Sequence, residues 1–263
     1  MNSIKTAVIL AAGMGTRLQD VTNGNIPKGF IKINSKTLIE RSIEKLRSLG
    51  IDKIYIVTGY LNEFYDELAK ENQYITTKRN RKYKATGSMS SLAILEDDLK
   101  EDFLLLESDL IYEVYALIEV VNHLDDDCVL LSGKTNSGDE CYVEVRNNNL
   151  YKISKEIKDI ENVYGELVGI SKISSGLYKE MLKEYKKQVN KIYGYENDEF
   201  EEYDYESKRV KKCDYENVIF DVAQRRRVGY SKIDNLIWGE IDDKNHIERV
   251  NKIIIPKLEL NRF

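Results

Sequence analysis

The sequence predicts an α/β fold with a mixed, mostly parallel sheet flanked by helices. Three observations carry that prediction. Short apolar runs alternate with amphipathic helical stretches through the first half of the chain. Two of the runs end in turns loaded with chemically useful groups, Ala12-Gly13-Met14-Gly15 after Leu10 and Glu107-Ser108-Asp109 after Leu106. No internal repeat and no Gly-, Ser- or Pro-rich linker divides the 263 residues, so one domain with a lid accommodates the length.

The elements follow in order. Thr6 to Leu10 is a buried strand meeting a loop. Lys36 to Leu49 carries Leu38, Ile39, Ile43, Leu46 and Leu49 at helical spacing, with Gly50 as its stop. Ile51 to Val57 is a strand, Leu61 to Lys70 a helix and Tyr74 to Lys78 a short strand. Ser88 to Leu99 is helical, with Thr86 or Ser88 as its N-cap. Phe103 to Leu106 is a strand, Tyr112 to His123 a helix and Cys128 to Leu131 a strand. Strands and helices at this pitch make βαβ units, and a ligand belongs outside the carboxyl ends of their strands.

The second half is less regular. Tyr142 to Val145 and Leu150 to Ile153 read as a hairpin closed by Arg146-Asn147-Asn148-Asn149, and supply a small lid region. Glu166 to Ile173 is a strand, followed by a helix capped by Ser174 or Ser175. An acidic, tyrosine-rich insert occupies 193–206, within a less regular stretch of about 190–213. Asp214 to Arg227 is helical, a last helix starts after Asp242-Asp243, and Pro256 reads as a helix stop.

Composition excludes several function classes. A net charge of -5 argues against a sequence-independent nucleic-acid binder, which needs a dense basic face. Arg225-Arg226-Arg227 is too short for one and, on a predicted helix, reads as a solvated face or a local salt-bridge cluster. Cys128, Cys141 and Cys213 are widely spaced, form no C-x-x-C pair and lie far in sequence from His123 and His246, which speaks against structural zinc. The first apolar stretch is too short for a secretory signal and no run can span a bilayer, so a reducing cytoplasm is the expected compartment.

The chemistry concentrates near the N-terminus. Gly13-Met14-Gly15 alone is a weak signal: it lacks the Gly-Lys-Ser/Thr ending of a P-loop and the third glycine of a dinucleotide fingerprint. Its neighbours strengthen it. Ala11 and Ala12 leave the backbone bare for a base or phosphate, and Thr16 and Arg17 add a hydroxyl and a planar cationic fork. Pro27 pushes Ile26 into extended backbone and stiffens the stretch that presents Lys28.

This combination, Leu10-Ala11-Ala12-Gly13-Met14-Gly15-Thr16-Arg17-Leu18 followed by Pro27-Lys28, resembles the signature of the sugar-phosphate and phosphoalcohol nucleotidyltransferase superfamily. Further stretches resemble its phosphocholine / 2-aminoethylphosphonate cytidylyltransferase branch. They are Thr58-Gly59-Tyr60, Gly87 to Leu92, Phe103 to Asp109, Gly165 to Lys172 and Trp238 to Asp243. The likeness covers about 5–252; 190–213 has no counterpart, and Lys28-Gly29 stands where Lys-Cys or Lys-Ala is usual.

The resemblance implies a Rossmann-like nucleotidyltransferase fold and transfer of CMP from CTP to a small phosphate or phosphonate, with release of pyrophosphate. Arg17 would hold the triphosphate and Lys28 would bridge the α-phosphate and the nucleophile. Asp109 and Asp242 would hold Mg²⁺. Leu10, Ala11, Ala12, Gly13, Gly15, Thr16 and Ser88 are the nucleotide-binding candidates. Outside such a motif Arg17 and Lys28 would read as ordinary surface charges, Asp109 as a cap for the helix near Tyr112, and Asp242 or Asp243 as a cap for the last helix. Ser88 serves equally well as a cap.

For the acceptor, the candidates are Glu140, Glu166, Gly169, Glu216 and Trp238. A quaternary amine wants an aromatic cage. The tryptophan expected near Cys141-Tyr142 in a phosphocholine enzyme is absent, and Trp238 is the chain's one tryptophan. A primary amine met by carboxylates fits better, so 2-aminoethylphosphonate is preferred and phosphocholine comes second. The rival within the superfamily is a sugar-1-phosphate uridylyl- or thymidylyltransferase. The rival from another class is a non-catalytic, nucleotide-sensing regulatory subunit. The insert 193–206 could cover a cationic headgroup or contact a second copy in a homodimer; as a solvated loop it would do neither.

Overall fold

The computed structural model describes residues 4–193 and 212–260. The insert expected at 193–206 therefore lies, from residue 194 on, outside the described residues. In chain order the elements run β1 (Thr6–Ala11), α1 (Gln19–Thr22), β2 (Lys32–Ile33), β3 (Lys36–Thr37), α2 (Leu38–Ser48), β4 (Lys53–Thr58), α3 (Asn62–Glu71) and β5 (Ile75–Arg79). Then come α4 (Ser88–Ala93), β6 (Phe103–Glu107), β7 (Leu110–Tyr112), α5 (Tyr115–Asn122), β8 (Cys128–Ser132), β9 (Tyr142–Arg146), β10 (Asn149–Ser154), β11 (Gly165–Ile173) and α6 (Ser175–Tyr193). The chain ends with α7 (Tyr215–Ala223), β12 (Tyr230–Ile233), β13 (Trp238–Glu240), α8 (Lys244–Arg249) and α9 (Ile255–Leu260).

A nine-stranded sheet is the spine, ordered β10-β9-β11-β6-β1-β4-β5, with β8 on β11 and β12 on β8. Its N-terminal half, β6-β1-β4-β5, is parallel; β9, β10 and β11 run antiparallel to their neighbours. Both faces of β1 are buried, which suits a continuous apolar run. Val8 and Leu10 join a core under α4, α6 and α7, while Ala7, Ile9 and Ala11 join one under α2 and α5. Helix α2 starts on a capping box: Thr37 Oγ1 accepts from the Glu40 amide and Glu40 accepts from the Thr37 amide, worth about 1 kcal/mol. Ser174 Oγ accepts from the Leu177 amide at the start of α6. The β9–β10 hairpin closes more tightly than expected: Asn147 and Asn148, both at positive φ, form a two-residue turn.

Several local expectations change. Helix α4 ends at Ala93 instead of Leu99, and α7 spans Tyr215–Ala223, so Arg225-Arg226-Arg227 follow it. Tyr112 is not in a helix. Leu110 to Tyr112 form β7, paired with β13, and α5 begins only at Tyr115. A short apolar run fully buried on every residue carries no period that could separate strand from helix. Neither Thr86 nor Ser88 caps α4; Gly87 does, and the Ser88 amide donates instead to Asp214 Oδ1 over 3.0 Å. Pro256 does not stop the last helix. Val250–Ile254 is a π-helical segment and α9 continues through the proline. The wider π turn takes up the missing amide and the ring, which would clash with the carbonyl four residues back in a regular α-helix.

A third apolar cluster packs segments after β1 against segments near the C-terminus. Leu18, Ile31, Ile111 and Ile241 meet there with Leu38 and Val250. Each of the first four lies within three residues of a candidate site residue, so the cluster forms a rigid floor beneath Arg17, Lys28, Asp109 and Asp242.

Candidate active site

The parallel register of β1 and β6 sets Leu10 beside Glu107, and the Ser108 amide donates to the Leu10 carbonyl over 3.1 Å. The two loaded turns therefore leave adjacent strand ends, at the edge where ligands of such sheets bind. Gly15 sits at φ 57, and a Cβ there would lie 3.0 Å from Lys28 Cγ, so the glycine is needed for the lysine stem to lie along the loop. Pro27 is extended at φ −71 and ψ 154 and opens the 3-10 turn Lys28–Phe30. Gly29 departs from the usual motif for a visible reason. A Cβ there would come within 2.8 Å of the Tyr65 hydroxyl, which is buried beneath it.

Lys28 Nζ lies 2.8 Å from Asp109 Oδ2 and also contacts Asp242 Oδ1. Burial works against the ammonium, but Asp109 and Asp242 outweigh it and hold Lys28 charged well above its ordinary range. Arg17 Nη2 lies 3.0 Å from Asp242 Oδ2 and 2.8 Å from Asp139 Oδ2, and Lys155 Nζ lies 2.9 Å from Asp139 Oδ1. Charges thus alternate across the cleft: Lys155, Asp139, Arg17, Asp242, Lys28, Asp109.

Two chambers meet at Lys28, Glu107 and Asp109, which line both. The first, about 350 Å³, is lined by every residue expected to bind nucleotide: Leu10, Ala11, Ala12, Gly13, Gly15, Thr16 and Ser88. The second, about 190 Å³, is lined by all five residues expected to bind the acceptor: Glu140, Glu166, Gly169, Glu216 and Trp238. Arg17 lines neither and stands on the ion pairs just given. Asp109 does not cap a helix, since its carboxylate is on Lys28. Asp243, not Asp242, caps α8, accepting from the His246 amide.

Several of these side chains already have protein partners. Glu166 Oε2 accepts from the amide and hydroxyl of Thr135, at 3.0 and 2.6 Å, and Glu140 accepts from the Gly138 amide. Both hold the loop between β8 and β9 that presents Asp139. Ser88 Oγ accepts from the Tyr215 amide at 2.9 Å and donates to Asp214 at 3.3 Å, joining α4 to α7.

Sequence reasoning gave no role to four ionisable groups here. Glu107 and Glu240 end β6 and β13, each two residues before Asp109 or Asp242, and that repeated Glu-x-Asp spacing could have found them. Asp139 and Lys155 lie in a loop and at a hairpin end, and no local pattern marks them. The carboxylates crowd one another. Burial, then Asp214, pushes Glu216 up to about 7. Burial, then Asp242 and Asp109, pushes Glu240 up to about 8. Burial, then Asp109, raises Glu107 well above the ordinary range.

The donor set suits a hard divalent cation. Asp109 and Asp242 converge on one point, now held by Lys28 Nζ, and Glu240, Asp242 and His246 offer ligand atoms within 4.8 Å of one another.

Known proteins agree with this architecture. The chain is similar to the inositol-1-phosphate CTP transferase from T. maritima (TM-score 0.76, 18% identity, 98% of this chain and 97% of that one). It is also similar to the CTP:phosphocholine cytidylyltransferase LicC of Streptococcus pneumoniae (TM-score 0.70, 21% identity, 95% and 99%). At these identities the likeness concerns the fold. In sequence, a choline-phosphate cytidylyltransferase of S. pneumoniae is 40% identical over 99 residues, 38% of this chain and 42% of that protein. A bifunctional sugar-1-phosphate nucleotidylyltransferase/acetyltransferase of Sulfurisphaera tokodaii is 30% identical over 266 residues, 95% and 62%. The chain thus spans less than two thirds of the length of these two curated relatives. The profile of the MobA-like NTP transferase domain matches residues 7–154, from β1 with its glycine loop to the end of the β9–β10 hairpin, and the chain belongs to that family.

Proposed function

We propose that the protein is a cytidylyltransferase. It would transfer CMP from CTP to a small phosphate or phosphonate bearing a primary amine, 2-aminoethylphosphonate before phosphocholine. The observation that carries this reading is the meeting of two chambers at Lys28 and Asp109, one bare and glycine-lined, the other rich in carboxylates. An acceptor oxygen attacks the α-phosphorus, the bond from that phosphorus to the β-phosphate bridging oxygen breaks, and pyrophosphate leaves. The nucleophile is already ionised and needs no general base.

Both reactants are anions, so positioning and charge neutralisation supply most of the rate. Lys28, on the wall between the chambers, touches the α-phosphate and the incoming oxygen. Arg17 leaves Asp139 for the triphosphate. Asp109 and Asp242 would hold the divalent ion, Mg²⁺ in this reading, which when bound polarises the α-phosphate and offsets its charge. Leu10 to Thr16 receive the nucleotide, and Glu216 and Trp238 face the acceptor. Three free thiols and the lack of a membrane-length apolar helix among the described residues suit a cytoplasmic reaction.

Relatives named for phosphocholine support the choice of CTP, as does a CTP:phosphoglutamine cytidylyltransferase of Campylobacter jejuni, 25% identical over 74% of this chain. The second reading, a sugar-1-phosphate nucleotidyltransferase, is favoured by the S. tokodaii relative. Pyrophosphate release decides between them. The panel sets CTP, UTP and dTTP against 2-aminoethylphosphonate, phosphoethanolamine, phosphocholine and glucose-1-phosphate. Turnover confined to UTP or dTTP with the sugar phosphate would sink the first reading.

A further inference from the structure

We propose that Glu107, held in place by Tyr215, is the carboxylate that receives the ammonium end of the acceptor, and so decides which acceptors are taken. The inference rests on the reading of the second chamber as the acceptor site. Glu107 ends β6 and lines both chambers. Its Oε1 accepts from the Tyr215 hydroxyl over 2.9 Å, and Tyr215 is itself anchored through its amide on Ser88 Oγ. Oε2 has no hydrogen-bond partner among the described residues. It lies over the bare Cα of Gly169, where φ is 80 and a Cβ would stand 3.0 Å from it.

The charged groups that act most strongly on Glu107 are Asp109, Glu216 and Glu240, all acids. The cations lining the chamber are committed elsewhere, Lys28 to Asp109 and Asp242, Lys155 to Asp139. A half-buried carboxyl whose open oxygen has only acids as its strongest charged neighbours is stabilised as an anion by a cation from outside.

Two features select the kind of cation. The Tyr215 hydroxyl occupies Oε1, so a single oxygen of Glu107 is left for the cation. Oε2 therefore meets a cation that bonds to it singly. A quaternary amine has no N–H to give an open oxygen and is held by aromatic faces instead; Trp238 is the one aromatic residue among those described as lining this chamber. A primary ammonium fits on both counts.

The test is calorimetric titration of the full chain in Mg²⁺ with 2-aminoethylphosphonate and with ethylphosphonate, which lacks the amine. The wild type should bind the amine at least ~10-fold more tightly. Glu107→Gln should reduce that ratio to within ~3-fold, with ethylphosphonate binding little changed, and Tyr215→Phe should give an intermediate ratio. No amine preference in the wild type, or an undiminished one in Glu107→Gln, overturns the proposal. If Glu107→Gln does not fold, an undiminished ratio in Tyr215→Phe does the same. If CTP is not consumed with any amine acceptor while the ratio behaves as expected, the cytidylyl reading falls and the role of Glu107 stands.

Discussion

The amide of Ile241 donates to the carbonyl of Asp109 over 3.0 Å, and this bond sets Asp242 against Asp109 although the two are far apart in sequence. It extends the β7–β13 ladder, in which Glu240 pairs with Leu110, by one step toward the cleft. Both carboxylates then close on Lys28 Nζ. The pair is thus positioned by backbone pairing and by the packing of Ile111 and Ile241.

The first prediction comes from that arrangement. Lys28→Met removes the cation between two largely buried carboxylates. Activity should fall by about 10²- to 10³-fold, the usual cost of losing one preorganised charge donor. Stability without metal should fall as well, since the remaining charges are left uncompensated. Mg²⁺ should then raise the Tm of the variant more than that of the wild type, because the ion takes the place of the ammonium. Equal Mg²⁺ shifts in the two proteins would contradict the assignment of Asp109 and Asp242.

A second prediction concerns Gly29 and Tyr65. Gly29→Ala places a methyl 2.8 Å from the Tyr65 hydroxyl and 3.4 Å from the Ser108 carbonyl. Overpacking of this kind costs about 1–3 kcal/mol. Tyr65→Phe removes the obstructing oxygen, so the double variant should recover much of the loss. Chemical denaturation of the four proteins measures the coupling, and additive losses would show that the two residues do not meet as described.

Most of the frame was legible in the sequence. Most of the alternation of strand and helix up to Cys128 was readable because its longer elements carry their own period and, at α2, a cap. What escaped depends on contacts between distant residues. Leu110 to Tyr112 form a strand because Trp238 to Glu240 lie beside them, and no window around Tyr112 contains that partner. The same holds in the site. Arg17, Lys28, Asp109 and Asp242 lie in marked motifs, whereas Asp139 and Lys155 acquire meaning only when the loop after β8 and the end of β10 fold over Arg17. Glu140 and Glu166 were singled out for the acceptor. They line the second chamber, yet they also tether the loop that carries Asp139.

Glu216 supplies a pH prediction. Its carboxyl is raised from an ordinary 4.5 to about 7 in the folded chain. Between those values the folded state binds the proton and the unfolded state does not, so stability falls as pH rises through this window. A shift of that size corresponds to about 3 kcal/mol by pH 8. Glu216→Gln should therefore raise Tm at pH 8 and change it little at pH 4, as scanning calorimetry would record. In the wild type an ammonium-bearing acceptor should bind better as pH rises through 7, where Glu216 becomes an anion. A pH-independent difference in Tm between the two proteins would count against the shifted carboxyl.

The last prediction concerns Asp139, which holds Arg17 in the absence of nucleotide. If Arg17 serves the triphosphate, Asp139 competes with the ligand for the same fork. The Arg17 side chain is 52% exposed, so the pair is screened and ranks with surface ion pairs, worth about 0.2–1 kcal/mol. Asp139→Asn should then lower KM for CTP by a factor of roughly 1.5 to 5 and leave kcat nearly unchanged. The gain should shrink in 0.5 M salt, because the competing attraction is screened there. A rise in KM would mean that Asp139 holds Arg17 in the orientation the nucleotide needs, and the ion pair would then be preorganisation instead of competition.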